Sequence, residues 1–507
     1  MDFFWEGEKK MLLDKICANT NDYISKMPKS IRKEIGQFFT SQAIAQFMAS
    51  QIINMDNSDK VSILDPGTGS GILIAAAIEY IVNNHSSVKK ISITLFENDQ
   101  LVIGLLKKNI SIIKDFCSNK CIELQIDLKI ENYIIYNRNN WKKSIAIYDI
   151  VICNPPYKKI KRDSKESIVM EKVIYGQPNL YFLFMALSAS LLKQKGNFIF
   201  IVPRSWTSGM YFEKFREYLF REINIRKIHL FKDRNDLFDE ESVLQETIII
   251  SATKEPNDIN NDIIISSSKS LLDIFNSHEL IIKNHSCIQN FNGRYMFLPI
   301  NKKEIELLDK LNQYENTLIT LGYKLKTGIV VEFRQRKELF YRNVKGSFPV
   351  IQACHFKNGN VSFPSKEKNL QYIRTEKEAV LLKTKPSLFL KRFTSKEEKR
   401  RLQPALFIPD KDFKFSHFTT ENHITLLTKR EGDFILNELY GFYVLFNSTM
   451  WDNYYRILNG STQVNSYEVN AMPIPPIETI MLMGERLLEM NKFDINTCDK
   501  IILEVII

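Results

Sequence analysis

The stretch Tyr148-Asp149-Ile150-Val151-Ile152-Cys153 reads as a short apolar strand that runs straight into Asn154-Pro155-Pro156-Tyr157. Those four residue types have a joint chemical use. An amino group on an aromatic ring is a poor nucleophile because its lone pair is delocalised into the ring. An Asn side-chain oxygen and the carbonyl of the next proline can each accept one of its hydrogens. That draws the nitrogen toward tetrahedral geometry and frees the lone pair without a general base. Prolines fix φ, so the acceptor carbonyl is in place before a substrate arrives, and Tyr157 offers a ring on which a planar base would stack. A plain strand followed by a stiff turn would look the same locally, so the assignment depends on the surrounding elements.

Those elements are legible upstream. Residues 61 to 77 read as strand, Gly-rich turn and helix, with Asp65-Pro66-Gly67-Thr68-Gly69-Ser70-Gly71 as the turn. Glycines there allow close approach of a ligand and of helix to strand. The spacing differs from the dinucleotide fingerprint and resembles motif I of S-adenosylmethionine (SAM) methyltransferases. Ile91 to Phe96 read as a second strand tipped by Glu97-Asn98-Asp99. A carboxylate at that tip can accept from both hydroxyls of a ribose diol. Cys121 to Ile130 read as a third strand leading to Glu131-Asn132-Tyr133. Asn132-Tyr133 falls where a cofactor adenine would be contacted, with Asp127 and Glu131 as alternatives. Ahead of the turn, Gln37-Phe38-Phe39-Thr40-Ser41 precedes a helical run from Gln42 to Ile52. A Thr or Ser there is an ordinary N-cap. The first-turn N–H groups also make a carboxylate site, and the phrase resembles motif X of amino-methyltransferases.

In this order the motifs resemble the gamma class (TaqI-type) of DNA adenine-N6 methyltransferases over most of the chain. Gly196 to Trp206 resembles the motif VI strand and Leu237 to Ile248 the motif VIII region. Asn459-Gly460-Ser461-Thr462-Gln463 and Met472-Pro473-Ile474-Pro475 resemble the closing signature. The third-strand tip departs from the usual Asp-Phe. The resemblance implies an α/β fold, a doubly wound Rossmann-like sheet followed by a mixed α/β target-recognition domain. It implies catalysis by Asn154, Pro155, Pro156 and Tyr157. SAM would be held by Gln37, Phe38, Thr40, Asp65, Gly67, Thr68, Gly69, Gly71, Glu97, Asn98, Asn132 and Tyr133, together with Asn154. The substrate would be double-stranded DNA with the target adenine flipped out, and Phe231 or Phe238 would cover its second face. A separate cognate restriction endonuclease is the partner the family setting implies, an orphan methylase being the other case. Cytosine-N4 methyltransferases generally begin the tetrapeptide with Ser or Asp, so Asn154 favours adenine. Protein-glutamine methyltransferases share Asn-Pro-Pro-Tyr but are short. An RNA adenine methyltransferase, or a modification subunit dependent on a separate specificity subunit, would fit the same motifs.

Composition is compatible with this. The 507 residues suffice for two or three domains. No apolar run reaches the roughly 18 residues of a membrane span, and the first residues lack a signal-peptide layout. Seven scattered cysteines without a CxxC pair suggest a reduced, cytoplasmic thiol set with no zinc or other metal site, and the resemblance implies a nucleoid-associated protein. No PD…ExK array suggests a fused nuclease. From Lys324 to Arg430 there are 24 Lys and Arg against 10 Asp and Glu, a surplus of 14 in a chain whose total is +10. The rest of the chain is therefore net acidic, and the basic segment makes a field that attracts a polyanion. Arg334, Arg336, Lys391 and Arg392 lie among Phe333, Phe389 and Phe393. With Asn459, Ser461, Thr462 and Gln463 they are the expected DNA contacts, to phosphates or guanine edges. Lys396 to Arg401 reads as a solvated charged face.

Residues 1 to about 50 read as a helical lead-in, and 60 to 255 alternate strands with helices, the pattern of a doubly wound sheet. Helices are expected over Gly71–Asn83, Gln100–Ser118, Leu180–Lys195, Tyr211–Glu222, Asp433–Leu445 and Ile480–Met490. Lys158 to Pro178 reads as a flexible loop beside the catalytic turn. A boundary near 295 to 320 divides a catalytic domain, 1–300, from a recognition domain, 301–507.

Overall fold

In the computed structural model, residues 11–26, 40–55, 58–231, 246–258, 260–290, 294–366, 369–394 and 398–506 are described. The chain divides into two compact units, Met1–Ile288 and Gln289–Ile507. In the first, the strands are β1 Lys60–Asp65, β2 Lys90–Phe96, β3 Glu123–Lys129, β4 Tyr148–Cys153, β5 Leu192–Pro203, β6 Asn224–Phe231, β7 Thr247–Thr253, β8 Asp262–Ser268 and β9 His278–Lys283. They form one sheet in the order β3-β2-β1-β4-β5-β7-β6-β8-β9. From β3 to β5 every pairing is parallel, and β7 lies antiparallel between β5 and β6.

Alternation along the strands explains the layers. Ile150 and Ile152 of β4 and Ile199 and Ile201 of β5 share a buried cluster with α1 (Leu12–Lys26), α2 (Gln42–Ala49), α3 (Ile72–Asn84) and α4 (Gln100–Asn119). Val151, Cys153, Phe198 and Phe200, one residue out of phase, are buried too and so belong to the opposite face. There α5 (Leu180–Leu191) packs on β5 and on the helix Glu213–Glu222. Strands buried on both faces read as unbroken apolar runs, which is why β4 showed so plainly in the sequence.

Three expectations change. The helix from Leu180 stops at Leu191 rather than Lys195, because Leu192 already pairs with Tyr148 and Lys193 bonds Asp149 at 3.0 Å. The segment 158–178, read as an irregular loop, carries local structure. Lys159 bridges Asn179, Leu180 donates to the Lys158 carbonyl at 2.9 Å, and short helical turns span Lys165–Val169 and Glu171–Val173. Two further strands, β8 and β9, extend the sheet beyond the alternating segment 60 to 255 read from the sequence. A buried ion pair, Arg204 to Glu246 at 3.0 Å with side chains 3% and 1% exposed, ties the end of β5 to the start of β7.

The second unit holds a six-stranded and a five-stranded sheet among its described residues, made of short strands. The helices Leu436–Asn447 and Ile477–Met490 pack tightly, since a Cβ at Gly441 or Gly484 would collide with the carbonyl of Ile480 or Asn437. Helices Lys302–Leu311, Thr449–Leu458 and Ile495–Ile506 were not foreseen. No helix among the described residues is long and apolar enough to cross a membrane.

Candidate active site

The carboxyl ends of β1, β2 and β4 converge. After β1 the chain turns through Gly69 and Gly71, whose φ values of 56° and 87° put both in the left-handed region open to glycine. Thr68 N–H donates to the Phe96 carbonyl at 3.0 Å, so the turn rests on the end of β2. Gly69 N–H donates to Glu97 Oε2 and Asp99 N–H to Glu97 Oε1, both at 2.8 Å. Burial pushes the Glu97 carboxyl up from its ordinary range, against the pull of those two N–H groups. A carboxylate has about four acceptor positions, so Glu97 can still take a diol. Asn98 is exposed at the same tip.

Asp65 is fully buried beneath the turn. Its Oδ1 accepts from Gly67 N–H at 3.3 Å, while Oδ2 has no hydrogen-bond partner among the described residues. Desolvation, with the Glu97 charge nearby, raises its pKa from 3.8 to about 8. The folded state therefore keeps a proton that the unfolded chain releases. Stability should fall as pH rises from about 4 to about 8 through this group, and Asp65→Asn should remove that fall. Urea midpoints for both proteins across that range would check it. Parallel curves would show that Asp65 ionises without cost.

Gly67 lies beside Asn154, since a Cβ built on it would sit 3.8 Å from the Asn154 carbonyl oxygen. The Asn154 amide is oriented from two sides. Its Nδ2 donates to Thr40 Oγ1 at 3.2 Å, a contact between residues 114 apart. Its Oδ1 lies 3.1 Å from the Tyr157 hydroxyl, which also points at the Ile201 carbonyl at 3.0 Å. Burial raises the Tyr157 pKa well above the ordinary value, so it stays a donor. Its ring meets Tyr181 edge-on at 6.2 Å. Pro155 is buried and Pro156 half-buried. Thr40 is buried next to Ser41, which caps α2 through Ile44 N–H.

Other expected site residues serve the fold. Asn132 Oδ1 accepts from both Ile134 and Ile135 N–H at 3.1 Å, capping the turn Tyr133–Tyr136, and Nδ2 donates to Glu166 at 2.8 Å. Both lone pairs of its oxygen are thus engaged. Tyr133 is buried among Phe96 and Phe184 with its hydroxyl on Ser188. Phe231 is buried against His229 in the sheet core. Gln37, Phe38 and Phe238 lie outside the described residues. No group of three or more His, Cys, Asp and Glu among the described residues could hold a metal ion.

In the second unit, Arg334 is exposed beside Phe333, itself 78% exposed, at 5.4 Å. Arg336 pairs with Glu332, and Lys391 with Glu398 at 3.2 Å. Arg392 reaches Gln463 Oε1 at 3.3 Å across 71 residues, which brings two of the expected contacts together. Asn459 is buried, bonded to Glu468 and accepting from Ser461 N–H at 2.7 Å. The Ser461 hydroxyl donates to the Gln463 carbonyl at 3.0 Å, and Thr462 is half-buried. Of the charged run expected to be solvated, Lys396 and Glu397 lie outside the described residues and Lys399 is exposed, but its last member is not solvated. Arg401 is fully buried and donates to the Ser461 carbonyl at 2.7 Å and to Asn459 Oδ1 at 3.4 Å. Sequence spacing held no sign of this, because the loop that Arg401 supports lies 58 to 62 residues away.

Residues 80–238 match the Eco57I restriction-modification methylase family. The chain is 30% identical over 469 residues to the type II methyltransferase M.BsuBI of Bacillus subtilis, an alignment covering 90% of this chain and 91% of that protein. With the type II methyltransferase M.PstI of Providencia stuartii it shares 27% identity, covering 97% and 96%. Among solved structures, the type IIL restriction-modification enzyme MmeI, determined in complex with DNA, has the same fold. It matches 98% of this chain and 74% of its own length with a TM-score of 0.52 at 12% identity. With a converging site on a doubly wound sheet and near full-length likeness to M.BsuBI, the chain belongs to the type II restriction-modification methyltransferase family.

Proposed function

We propose that this protein transfers the methyl group of S-adenosylmethionine to N6 of an adenine turned out of duplex DNA. The observation that carries the reading is the placement of Asn154 at the end of β4, with its amide oriented by Thr40 and Tyr157 beside the Gly67 turn. The donor set suits the cofactor. The buried Asp65 Oδ2, without a partner among the described residues, suits a cationic ammonium end once its carboxyl gives up its proton, and the spare acceptor capacity of Glu97 suits a ribose diol. When bound, S-adenosylmethionine supplies an electrophilic methyl group on a sulfonium.

The chain's own residues do the rest. Asn154 Oδ1 and the Pro155 carbonyl accept the two amino hydrogens, which localises the nitrogen lone pair toward the methyl donor. Turning the base out costs on the order of a few kcal/mol, offset by stacking on Tyr157 and by those hydrogen bonds. The second unit, with Arg334, Arg336 and Arg392, supplies the positive field that holds the duplex. Relatives named as type II methyltransferases support a DNA substrate, and Asn at the head of the tetrapeptide favours adenine over cytosine.

Plasmid DNA from cells expressing the wild-type chain should carry N6-methyladenine at one defined motif, and DNA from cells expressing Asn154→Ala should carry none. Long-read sequencing reads both. N4-methylcytosine instead would correct the base, and unmodified DNA from a folded protein would end the DNA reading.

A further inference from the structure

Four segments far apart in the sequence meet in the second unit. Val330 bridges Glu421 and its carbonyl accepts from Asn422 N–H at 2.9 Å. Arg392 N–H donates to the His423 carbonyl at 2.9 Å, and its guanidinium reaches the Asn422 carbonyl at 3.0 Å and Gln463 Oε1 at 3.3 Å. Phe393 bridges Gln463. The turn at the centre of these contacts carries His423, a residue given no role so far.

The ring is held firmly yet left open. Nδ1 lies 2.7 Å from Glu421 Oε1, and the side chains are 54% and 7% exposed respectively. The other Glu421 oxygen accepts from His423 N–H at 3.1 Å, and the ring stands edge-on to Phe393 at 4.7 Å. Among the described residues Nε2 makes no hydrogen bond. The contrast with two other histidines is informative. His229 bonds Ser266 and Ser268, His355 bonds Gln352 and Gln371, and both are fully buried with both nitrogens used. Those are structural histidines. His423 spends one nitrogen on a buried carboxylate and turns the other to solvent, inside the cluster that already contains Arg392 and Gln463.

Burial pushes the Glu421 carboxyl up, and the facing His423 charge pulls it back down. Glu332 and Arg392 are the other charged groups facing the pair, while Lys391 is turned to Glu398. Protonated, the ring balances its charge on Glu421 and offers a second N–H outward. A fixed N–H on a basic surface recognises an acceptor on a polyanion.

We propose that His423, oriented by Glu421, is a DNA-contacting residue that donates Nε2–H to an acceptor on the duplex, either a phosphate oxygen or the O6/N7 edge of guanine. The proposal rests on duplex DNA being the substrate. Glu421 acts through His423 and is a positioning residue.

The test is binding of the full chain to a short duplex carrying the motif it modifies, and to a scrambled duplex, across a range of salt. His423→Ala should weaken binding by about tenfold. A phosphate contact predicts equal loss on both duplexes and a shallower salt dependence. A guanine contact predicts loss on the motif duplex alone, with relaxed modification at one position. Glu421→Gln, which leaves the ring in place without the carboxylate that orients it, should weaken binding in the same duplex and salt pattern. A histidine that merely stabilised its turn would not produce that pattern. If the folded His423→Ala and Glu421→Gln variants bind within about twofold of wild type, the inference is overturned. If wild type itself binds neither duplex, the DNA reading beneath it fails instead.

Discussion

Asn154→Ala should lower turnover by at least about 10²–10³-fold while leaving the fold and cofactor affinity close to wild type. The residue is half-buried at a strand end and belongs to no hydrophobic core cluster, so truncation leaves no cavity of consequence. In the proposed reaction its work is electrostatic. The oxygen accepts from the Tyr157 hydroxyl at 3.1 Å and the nitrogen is spent on Thr40 at 3.2 Å, so the amide cannot present its donor end to the substrate. Preorganisation of that kind acts on the chemical step rather than on binding. Single-turnover methylation of a labelled oligonucleotide, alongside S-adenosylmethionine titration by calorimetry, separates the two. Loss of cofactor binding equal to loss of rate would show that Asn154 holds the cofactor rather than activating the amine. A retained rate would remove it from the chemistry.

Arg204→Ala should cost about 3–5 kcal/mol of stability. The variant leaves the Glu246 carboxylate, 1% exposed, without the guanidinium that faces it at 3.0 Å. Typical domain stabilities are about 5–15 kcal/mol, so a loss of that size is severe. The pair also fixes the end of β5, the strand whose Ile201 carbonyl faces the Tyr157 hydroxyl. Activity should therefore fall before the protein unfolds. Replacing both partners by apolar residues, Arg204→Met with Glu246→Leu, should recover most of the stability, because no buried charge then remains unmatched. Guanidinium titrations of the three proteins decide it. A single variant within about 1 kcal/mol of wild type would mean that water reaches Glu246 and screens it.

Local residue order carried most of what the sequence revealed. The apolar runs of β4 and β5, the Gly-rich turn and the Glu97 tip each lie within a few residues of the feature that marks them, and the expected helix Gln100–Ser118 is observed over Gln100–Asn119. Contacts that close over long distances were not legible. Thr40 meets Asn154 across 114 residues, and Arg401 supports a loop about 60 residues away. Asn132 reads as a ligand residue from its position just past the third strand, but Asn is also a strong N-cap, and its bonds from Ile134 and Ile135 show that second role, one not read from the sequence. Arg401 shows the limit of composition: charge counts say nothing about which arginines reach solvent.

The place of β7 has a consequence in time. It fills the slot between β5 and β6, so the catalytic ends of the first sheet become rigid only after β7 has been made. All nine strands of that sheet are complete by Lys283. At about 5–20 residues per second, the basic unit needs on the order of 10–40 s more to emerge from the ribosome. Domains generally fold as units during synthesis, N-terminal first. A nascent chain therefore has time to assemble its methyl-transfer machinery before it possesses the surface that would draw it to a polyanion.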